Sequence, residues 1–321
     1  MNRSIVLSPV ASLASFIGDG ELVAFDVGPD DVVYFVVALG PLDYRSEGPG
    51  GASFVKTVPN QPQNYRVVGL FGSEVVLDIR IEGEKYNIHE IQPLPDALML
   101  VCARSFRRGA DDFDRNGRIY SLDGRFLREI LIGDGIQSVQ TTPQGVIWTS
   151  YFDEGIFGNY GWGNPVGAAG LIAWDEFGEK LYEFAPRDGL EAICNCYALN
   201  VESEIDTWFY YDTDDFPLVH LRRREIVSYW NMRLGGCDAF AVFAGHALFR
   251  GEYGDRDTYH VFRLGRHVNL QSIVQFELRS HGGDRIEADR AVGRAGSIHL
   301  ISGNSLYRLE LREVLAALGL S

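Results

Sequence analysis

The chain has 321 residues, 46% of them hydrophobic and 23% charged, which is enough to build the core of one large domain or of two average ones. Its 44 acidic against 29 basic residues give a net charge of −15, a field that would repel nucleic acid and that disfavours binding to an anionic membrane. No run of about 18 apolar residues could span a bilayer, and the first twenty residues make a poor secretory signal. We therefore expect a soluble protein of the cytoplasm.

The four cysteines point the same way. Cys102, Cys194, Cys196 and Cys237 all lie in apolar stretches, and no pair has the CxxC spacing of a zinc site. They are therefore predicted to be buried free thiols in a reducing compartment.

One unit recurs along the chain: a strand, a turn and a second strand of bulky apolar residues. Its clearest copy runs from 136 to 153, where a turn around Pro143 and Gly145 leads into Val146-Ile147-Trp148. Six copies are recognisable, spaced roughly 45 to 65 residues apart, as in propeller blades. They cover residues 22–37, 88–104, 136–153, 193–212, 237–253 and 286–303.

A second hairpin follows five of these copies, so that each unit has four strands. These hairpins are predicted at 65–81, 117–132, 170–184, 218–230 and 259–278, and the second of them turns at Asp123-Gly124. The last copy is followed only by residues 305–311 and by EVLAALG, which has the pattern of a short helix. The segment SIVLSP, residues 4–9, could supply the outer strand that this copy lacks.

The pattern predicts an all-β fold: a six-bladed β-propeller with four-stranded antiparallel blades, its ring closed by an N-terminal strand, forming one domain over residues 1–321. A double β-sandwich is the structural alternative, but it does not account for the repeat of two hairpins. Helices between strands, which a doubly wound sheet requires, are almost absent.

The turn-and-strand pattern, with the hairpin Trp174-Asp175-x-x-Gly178-x-x-Leu181, resembles the broad group of six-bladed propellers. That group includes NHL-repeat, gluconolactonase/strictosidine-synthase-like and sensor-type propellers. The resemblance is architectural and extends over most of the chain. Metal-binding members of the lactonase type hold their metal with Glu, Asn and Asp side chains. That set is not placed residue by residue on this sequence, so the resemblance does not imply their activity.

Acidic residues concentrate in the loops that a propeller presents on one face. Asp153, Glu154 and Asp212 are predicted to bind ligand, and the connections between blades add Asp134, Asp188, Asp238 and Asp284. Aspartates often cap turns, which would account for them without any ligand. The alternative is an acidic mouth that attracts a cation, a metal ion or a basic peptide.

One loop has the spacing of a calcium site. Its candidate ligands are Asp112, Asp114, Asn116 and Asp123, which follow the DxDxNG pattern of a calcium loop. Calcium is the cofactor that this spacing would accommodate. The twelfth position is Asp instead of Glu and no flanking helices are predicted, so a plain polar hairpin loop is the alternative.

Two long loops stand out as binding elements. The loop 151–169 is rich in Gly and aromatic residues, and exposed Tyr160 and Trp162 could stack on a sugar, a ring or a peptide, or pack the loop onto its own blade. The loop 40–64 has little periodicity, as lids and binding elements often do; Tyr44, Arg45 and Lys56 are its notable polar residues.

The first strand of each blade should line a central channel. Its predicted ligand-binding residues are Asp26, Gln92, Gln140 and Tyr197, and its predicted acid–base residues are His89, Asp238, Glu287 and Arg290. His89 is the best candidate base because its charge can change near neutral pH. A water-filled channel with satisfied polar walls is the alternative.

Three functions remain open at this point. The first is a propeller that binds a small molecule or a basic peptide or protein at an acidic face. The second is a calcium-assisted hydrolase or lyase acting at the channel mouth. The third is a carbohydrate-binding propeller that uses Trp162 and Tyr160.

Overall fold

The computed structural model describes residues 3–187, 189–266 and 268–320, and most of these residues lie in β-strands or tight turns. Asp188 lies outside the described residues. The first elements are two short strands, β1 (Arg3–Val6) and β2 (Ala11–Ser12), followed by the single-turn helix α1 (Ala14–Ile17). None of the helices in the described ranges has the length and hydrophobicity needed to cross a bilayer.

The next strands form three sheets, which we number as blades in chain order. Blade 1 comprises β3 (Glu21–Val27), β4 (Val33–Ala38), β7 (Gln63–Phe71) and β8 (Glu74–Glu84), with the small hairpin β5 (Arg45–Glu47) and β6 (Ser53–Val55) inserted after β4. Blade 2 comprises β9 (Glu90–Leu94), β10 (Ala97–Val101), β11 (Gly117–Ser121) and β12 (Phe126–Ile130). Blade 3 comprises β13 (Ile136–Thr141), β14 (Ile147–Tyr151), β15 (Leu171–Trp174) and β16 (Lys180–Glu183), with helix α2 (Asp153–Phe157) after β14.

Three further sheets follow. Blade 4 comprises β17 (Ala198–Val201), β18 (Asp206–Tyr210), β19 (Pro217–Arg222) and β20 (Glu225–Asn231). Blade 5 comprises β21 (Ala239–Phe243), β22 (His246–Glu252), β23 (Asp255–Arg263) and β24 (Val274–Arg279). Blade 6 comprises β25 (Arg290–Arg294), β26 (Ser297–Ser302) and β27 (Ser305–Glu310), and helix α3 (Leu311–Leu318) comes last.

The fold class is the predicted one: all-β, with the six four-stranded antiparallel blades of a β-propeller. The described chain divides into two compact units, one with blades 1–3 (residues 15–185) and one with blades 4–6 (residues 3–14 and 186–320). The prediction of one domain over residues 1–321 stays a prediction.

Burial explains why these segments are strands. Strands β4 and β10 consist only of Val, Tyr, Phe, Leu, Met and Ala, and all six residues of β4 and all five of β10 are buried. The outer strand β8 instead alternates between exposed and less exposed residues, as a strand with one solvated face does. The hairpin β11–β12 turns at the predicted position, where Gly124 has φ of +87° and donates its N–H to the carbonyl of Ser121.

Gly124 also fixes how blades 1 and 2 meet. A Cβ atom at this position would lie 2.3 Å from the carbonyl oxygen of Arg80 on β8, so any other side chain would force the two backbones apart. The glycine therefore serves both the turn and the close packing of the neighbouring sheet.

The N-terminal segment pairs differently from the prediction. β2 is the strand that completes blade 6, where Ala11 and Ser12 pair antiparallel with Leu306 and Ser305 of β27. The SIVLSP segment, expected in that place, instead forms β1 and adds a fifth, parallel strand to β24 of blade 5. Parallel and antiparallel pairing are not distinguishable from four residues of sequence, because both satisfy the same alternation.

The cysteines are all free, as predicted, but they are not all buried. Cys102, Cys196 and Cys237 are buried, whereas Cys194 is exposed in the loop before β17. Burial raises the pKa of the Cys102 and Cys237 thiols well above the usual range, so both are held as neutral thiols.

Candidate functional site

Two long loops of the unit formed by blades 1–3 meet each other. The hydroxyl of Tyr160, in the loop after helix α2, donates a hydrogen bond of 2.7 Å to the carbonyl of Val55 on β6. The same loop is held on blade 2, where the N–H of Arg107 donates to the carbonyl of Tyr160 at 2.8 Å. Both loops predicted as binding elements are therefore fixed against one another.

A buried arginine anchors this arrangement. Arg104 follows strand β10, and its Nε and Nη2 atoms bond to the two carboxylate oxygens of Asp134 at 2.8 and 3.0 Å. Its Nη1 lies 2.5 Å from Glu154 of α2, and the ring centroid of Tyr160 lies 3.9 Å from the guanidinium carbon. Planar guanidinium groups suit such combined bidentate and stacking contacts. Burial raises the pKa of the Asp134 carboxyl, and Arg104 acts in the opposite direction.

Between the two loops lies a pocket of about 600 Å³, which we call the insertion groove. It is lined by Ser46, residues 54–58, Phe106, Arg108 and residues 159–161. Three of its apolar side chains are unusually open to solvent: Phe54 at 50%, Val58 at 42% and Phe106 at 39% exposed. A pocket of this size and composition is typical of a binding site.

The backbone of the groove depends on one glycine. Gly161 has φ of +85°, and a Cβ atom there would lie 2.0 Å from the carbonyl oxygen of Arg107. Only glycine tolerates both conditions, so the loop from Asn159 to Gly161 can lie directly on the backbone of residue 107.

The charged groups at the groove are both cations. Lys56 bonds to both carboxylate oxygens of Asp43 at 2.6 and 2.8 Å, and this contact holds the pKa of the Asp43 carboxyl below its usual range. Arg108 lies 3.0 Å from a carboxylate oxygen of Asp114 and remains 42% exposed at its side chain. No carboxylate is among the described residues that line the groove.

The proposed calcium ligands do not come together. Asn116 is fully buried, and its amide donates to the carbonyls of Cys102 and Gly133 while its oxygen accepts from Ile132. Asp123 lies at the opposite end of β11 from Asn116, in the exposed hairpin turn, and Asp112 is exposed. Among the residues described here, no group of three or more His, Cys, Asp or Glu side chains is placed to hold a metal ion. The loop connects the antiparallel strands β10 and β11 of blade 2, and β11 begins directly after Asn116.

The aromatic loop also differs from the expectation. Trp162 is only 5% exposed; its Nε1 donates to the carbonyl of Ser105 at 2.7 Å, and its ring packs against Phe113. The prediction that it is exposed for stacking is therefore wrong, and the packing alternative holds. Asp153 is exposed, is the first residue of helix α2, and accepts the N–H of Glu154.

The predicted channel residues of blades 1–3 are engaged in structural contacts. Gln92 is fully buried, donates to the carbonyl of Val27 in blade 1 and accepts from the N–H and the hydroxyl of Thr141 in blade 3. Asp26 is buried and accepts the N–H of Val27, and Gln140 is buried as well. A single glutamine thus joins three blades of this unit.

His89 is half-buried just before β9. Its Nδ1 accepts the N–H of Ala103 at 3.3 Å, and the ring of Tyr44 meets its own edge-on at 5.2 Å. The imidazole is therefore bonded to main chain on one side. Its predicted role as a base stays a prediction.

The remaining predicted residues lie in the unit formed by blades 4–6. Tyr197 donates to a carboxylate oxygen of Asp212 at 3.3 Å. Asp238 pairs at 2.6 Å with Arg250, while Glu287 is exposed and Arg290 is half-buried at the start of β25. Burial raises the pKa of the Asp238 carboxyl, and Arg250 opposes that shift. The ligand-binding roles of Tyr197 and Asp212 and the acid–base roles of Asp238, Glu287 and Arg290 stay predictions.

Sequence reasoning pointed to the loop 40–64 but missed the apolar residues that define the groove. Phe54, Val58 and Phe106 carry no motif, and only their common exposure in three dimensions distinguishes them. The one signal in the sequence is the length of the two loops.

No family model and no curated protein sequence matches this chain. Among solved structures, a chain in the crystal structure of the mitotic checkpoint complex is similar to it, with 6% identity and a TM-score of 0.51 over 90% of each chain. The structure of U3-55K has 10% identity and a TM-score of 0.49 over 91% of this chain and 96% of that one. The crystal structure of Kluyvelomyces marxianus Hsv2 has 7% identity and a TM-score of 0.49 over 91% of this chain and 77% of that one. At 6% identity, the likeness to the chain of the mitotic checkpoint complex shows the fold alone. Membership of the NHL-repeat or lactonase-type groups stays a prediction.

Proposed function

We propose that this chain is a binding propeller whose insertion groove holds a segment of a protein partner by its apolar side chains. The observation that carries this proposal is the gathering of Phe54, Val58 and Phe106, each exposed by 39% or more, around one pocket. Exposing large apolar side chains in one place is unfavourable in water, so such clusters commonly mark an interaction surface.

The rigidity of the groove supports the same function. Its two walls are joined by the hydrogen bond from Tyr160 to Val55, and the loop carrying Tyr160 is fixed by buried Arg104. A surface held in one conformation loses little entropy when it binds, which favours affinity. Loops on a rigid β scaffold are a common place for recognition.

A different partner was expected at the acidic loops. Several of those acids already have cationic partners within the chain: Asp134 and Glu154 contact Arg104, and Asp114 contacts Arg108. Such pairing reduces the attraction that these carboxylates offer to a basic partner. A basic peptide, a calcium-assisted reaction and carbohydrate binding stay predictions, and the burial of Trp162 removes one of the two rings that the last of them needs.

The test compares two exposed phenylalanines in blade 1. Peptides are selected from a displayed random library against the wild-type protein, and their affinities are then measured by titration calorimetry for Phe54→Ser and for Phe71→Ser. Phe71 is 54% exposed and lies outside the groove, so it is a matched control. We expect Phe54→Ser to weaken binding about tenfold or more, since buried aromatic anchors dominate such interfaces, and Phe71→Ser to leave it unchanged. Equal effects, or no selected peptide that depends on Phe54, would overturn the proposal.

A further inference from the structure

One tyrosine in the unit of blades 4–6 is largely open to solvent and is nevertheless held in place. Tyr253, in the turn between β22 and β23, is 64% exposed. Its ring lies on the main chain of Gly235 and Gly236, where a Cβ atom at either glycine would come within 2.6 Å of a ring carbon. Its N–H donates to the carbonyl of Gly235 at 2.9 Å. A partner that binds this ring therefore does not have to order it first.

Two further rings and a carboxylate adjoin this tyrosine. The ring centroids of Tyr197 and Phe216 lie 6.4 and 6.1 Å from that of Tyr253, and both pairs of rings meet edge to face. The hydroxyls of Tyr197 and Tyr253 are hydrogen-bonded to each other, and that of Tyr197 donates to a carboxylate oxygen of Asp212 at 3.3 Å. We call these four residues the tyrosine patch. A fixed, exposed ring and a carboxylate are thus joined through one hydroxyl.

The carboxylate of the tyrosine patch has no cationic partner. Among the described residues Asp212 forms no ion pair, whereas Asp215 of the same loop lies 3.7 Å from Arg233. Residues 213–215 also line a cavity of about 350 Å³, and its described lining residues include carboxylates but no cation. A positive charge brought to this loop would therefore meet uncompensated negative charge.

We propose that the tyrosine patch binds an arginine or lysine side chain presented by a basic segment of a partner protein. The cation would lie against the ring of Tyr253 and pair with the carboxylate of Asp212. The negative face of an aromatic ring attracts a cation, and a carboxylate beside it adds direct charge pairing. Tyrosine is also among the residues that contribute most to protein interfaces. The patch shares no residue with the insertion groove, so this inference does not depend on the function proposed above.

The experiment isolates peptides that bind the patch. A displayed library of random peptides is depleted on Asp212→Asn/Tyr253→Leu and then selected on the wild type. Affinities of the selected peptides are measured by titration calorimetry for each single substitution. Phe243→Leu and Asp284→Asn are the controls, because Phe243 is 41% exposed, Asp284 is exposed, and both lie in the same unit outside the patch. The selection is repeated with depletion on Asp212→Asn alone, in case Tyr253→Leu disturbs its loop.

We expect the selected peptides to contain arginine or lysine and to bind Asp212→Asn and Tyr253→Leu about fivefold or more weakly than the wild type, with no change for the controls. Replacing the basic residue by citrulline or acetyllysine, which removes its charge, should weaken binding to the wild type, as should added salt. Peptides without a basic residue, peptides that bind all variants equally, or no peptide left after depletion would overturn the inference. The proposed function would stand in each case, since groove binders are recognised by their dependence on Phe54.

Discussion

Buried charged side chains in both units are held by ion pairs and hydrogen bonds. In blade 5, Arg250 is 1% exposed; its Nη1 pairs with Asp238 at 2.6 Å, and its Nη2 pairs with Asp257 at 3.1 Å and bonds to the carbonyl of Ala288 at 2.7 Å. The last of these contacts reaches the residues before blade 6. In blades 1 and 2, the fully buried carboxylate of Glu84 likewise accepts bonds from Arg118 and from the hydroxyl of Tyr120. These contacts join neighbouring sheets. Removing one member of such a pair is costly, because it leaves the other charge buried and unpaired.

Replacement of Arg250 should therefore be costly. We expect Arg250→Met to lower the free energy of unfolding by about 3 kcal/mol, the lower end for a broken buried ion pair because Asp238 is partly exposed. Urea unfolding followed by circular dichroism measures the change. The exposed Arg263→Met on β23 is the control, with an expected effect within about 0.5 kcal/mol. Equal effects of the two substitutions would show that the ion pairs contribute nothing.

A buried histidine makes stability depend on pH. His260 of β23 is 1% exposed, neither of its ring nitrogens has a hydrogen-bond partner among the described residues, and its nearest acid is Glu252 at 4.0 Å. Burial lowers the pKa of His260 below the ordinary value of 6.5, although Glu252 and Asp255 oppose the shift. The folded protein therefore binds a proton at this site less readily than the unfolded chain does.

The sign of the effect follows from that difference. Above pH 6.5 both states are neutral at His260 and its contribution to stability is complete. As the pH falls below that value, the unfolded chain takes up the proton first, and stability falls by up to about 1.4 kcal/mol per pH unit until the folded-state pKa is reached. We expect His260→Phe to lose less stability than the wild type between pH 7 and pH 5.5 in urea unfolding. An equal loss in both proteins would contradict this, and the exposed His281→Phe is the control.

At the scale of elements, the N-terminal segment belongs to two sheets at once. β1 adds a parallel strand to blade 5, and β2 completes blade 6, so the ten residues 3–12 connect the two outer edges. Ile5 and Leu7 face inward and pack against the core cluster of blades 5 and 6, whereas Val6 is exposed. An outer strand covered in this way is also protected from pairing with other chains.

This alternation gives a matched pair of substitutions. We expect Ile5→Asp to lower the free energy of unfolding by about 2 kcal/mol, because it removes buried apolar area and places a charge against the core. Val6→Asp, one residue further along the same strand, should change it by less than about 0.5 kcal/mol. Both are measured by denaturant unfolding. If the two substitutions cost the same, β1 does not pack on the sheet as described.

The predicted elements agree with the structure where local pattern decides. Hairpins predicted at 65–81, 218–230 and 259–278 correspond to β7–β8, β19–β20 and β23–β24, and the predicted terminal helix is α3. The spacing of the predicted calcium ligands does not bring them together, because Asp112 and Asp114 precede strand β11 and Asp123 follows it. Calcium binding stays a prediction. The predicted exposure of Trp162 was wrong, because the sequence of a loop does not show whether an aromatic side chain faces solvent or packs against the sheet.

At the scale of the whole molecule, the net charge does not indicate which partner the protein binds. The surplus of acids favoured a basic partner, but the structure pairs Asp114, Asp134 and Glu154 with arginines, and no carboxylate is among the described residues that line the groove. Net charge counts every group equally, whereas recognition depends on the groups within a few ångströms of the ligand. The candidate site could therefore not be deduced from composition.

The sequence by itself determined the strands, the tight turns and the number of blades, because hairpins and alternation are local and repeat at a regular distance. Only the tertiary structure decided which side chains meet: that Tyr160 contacts Val55, that Arg104 binds Asp134 and Glu154, and that Phe106 shares one pocket with Phe54 and Val58. Such contacts join residues 30 to 105 positions apart, and their formation depends on how the sheets pack, which no local pattern records.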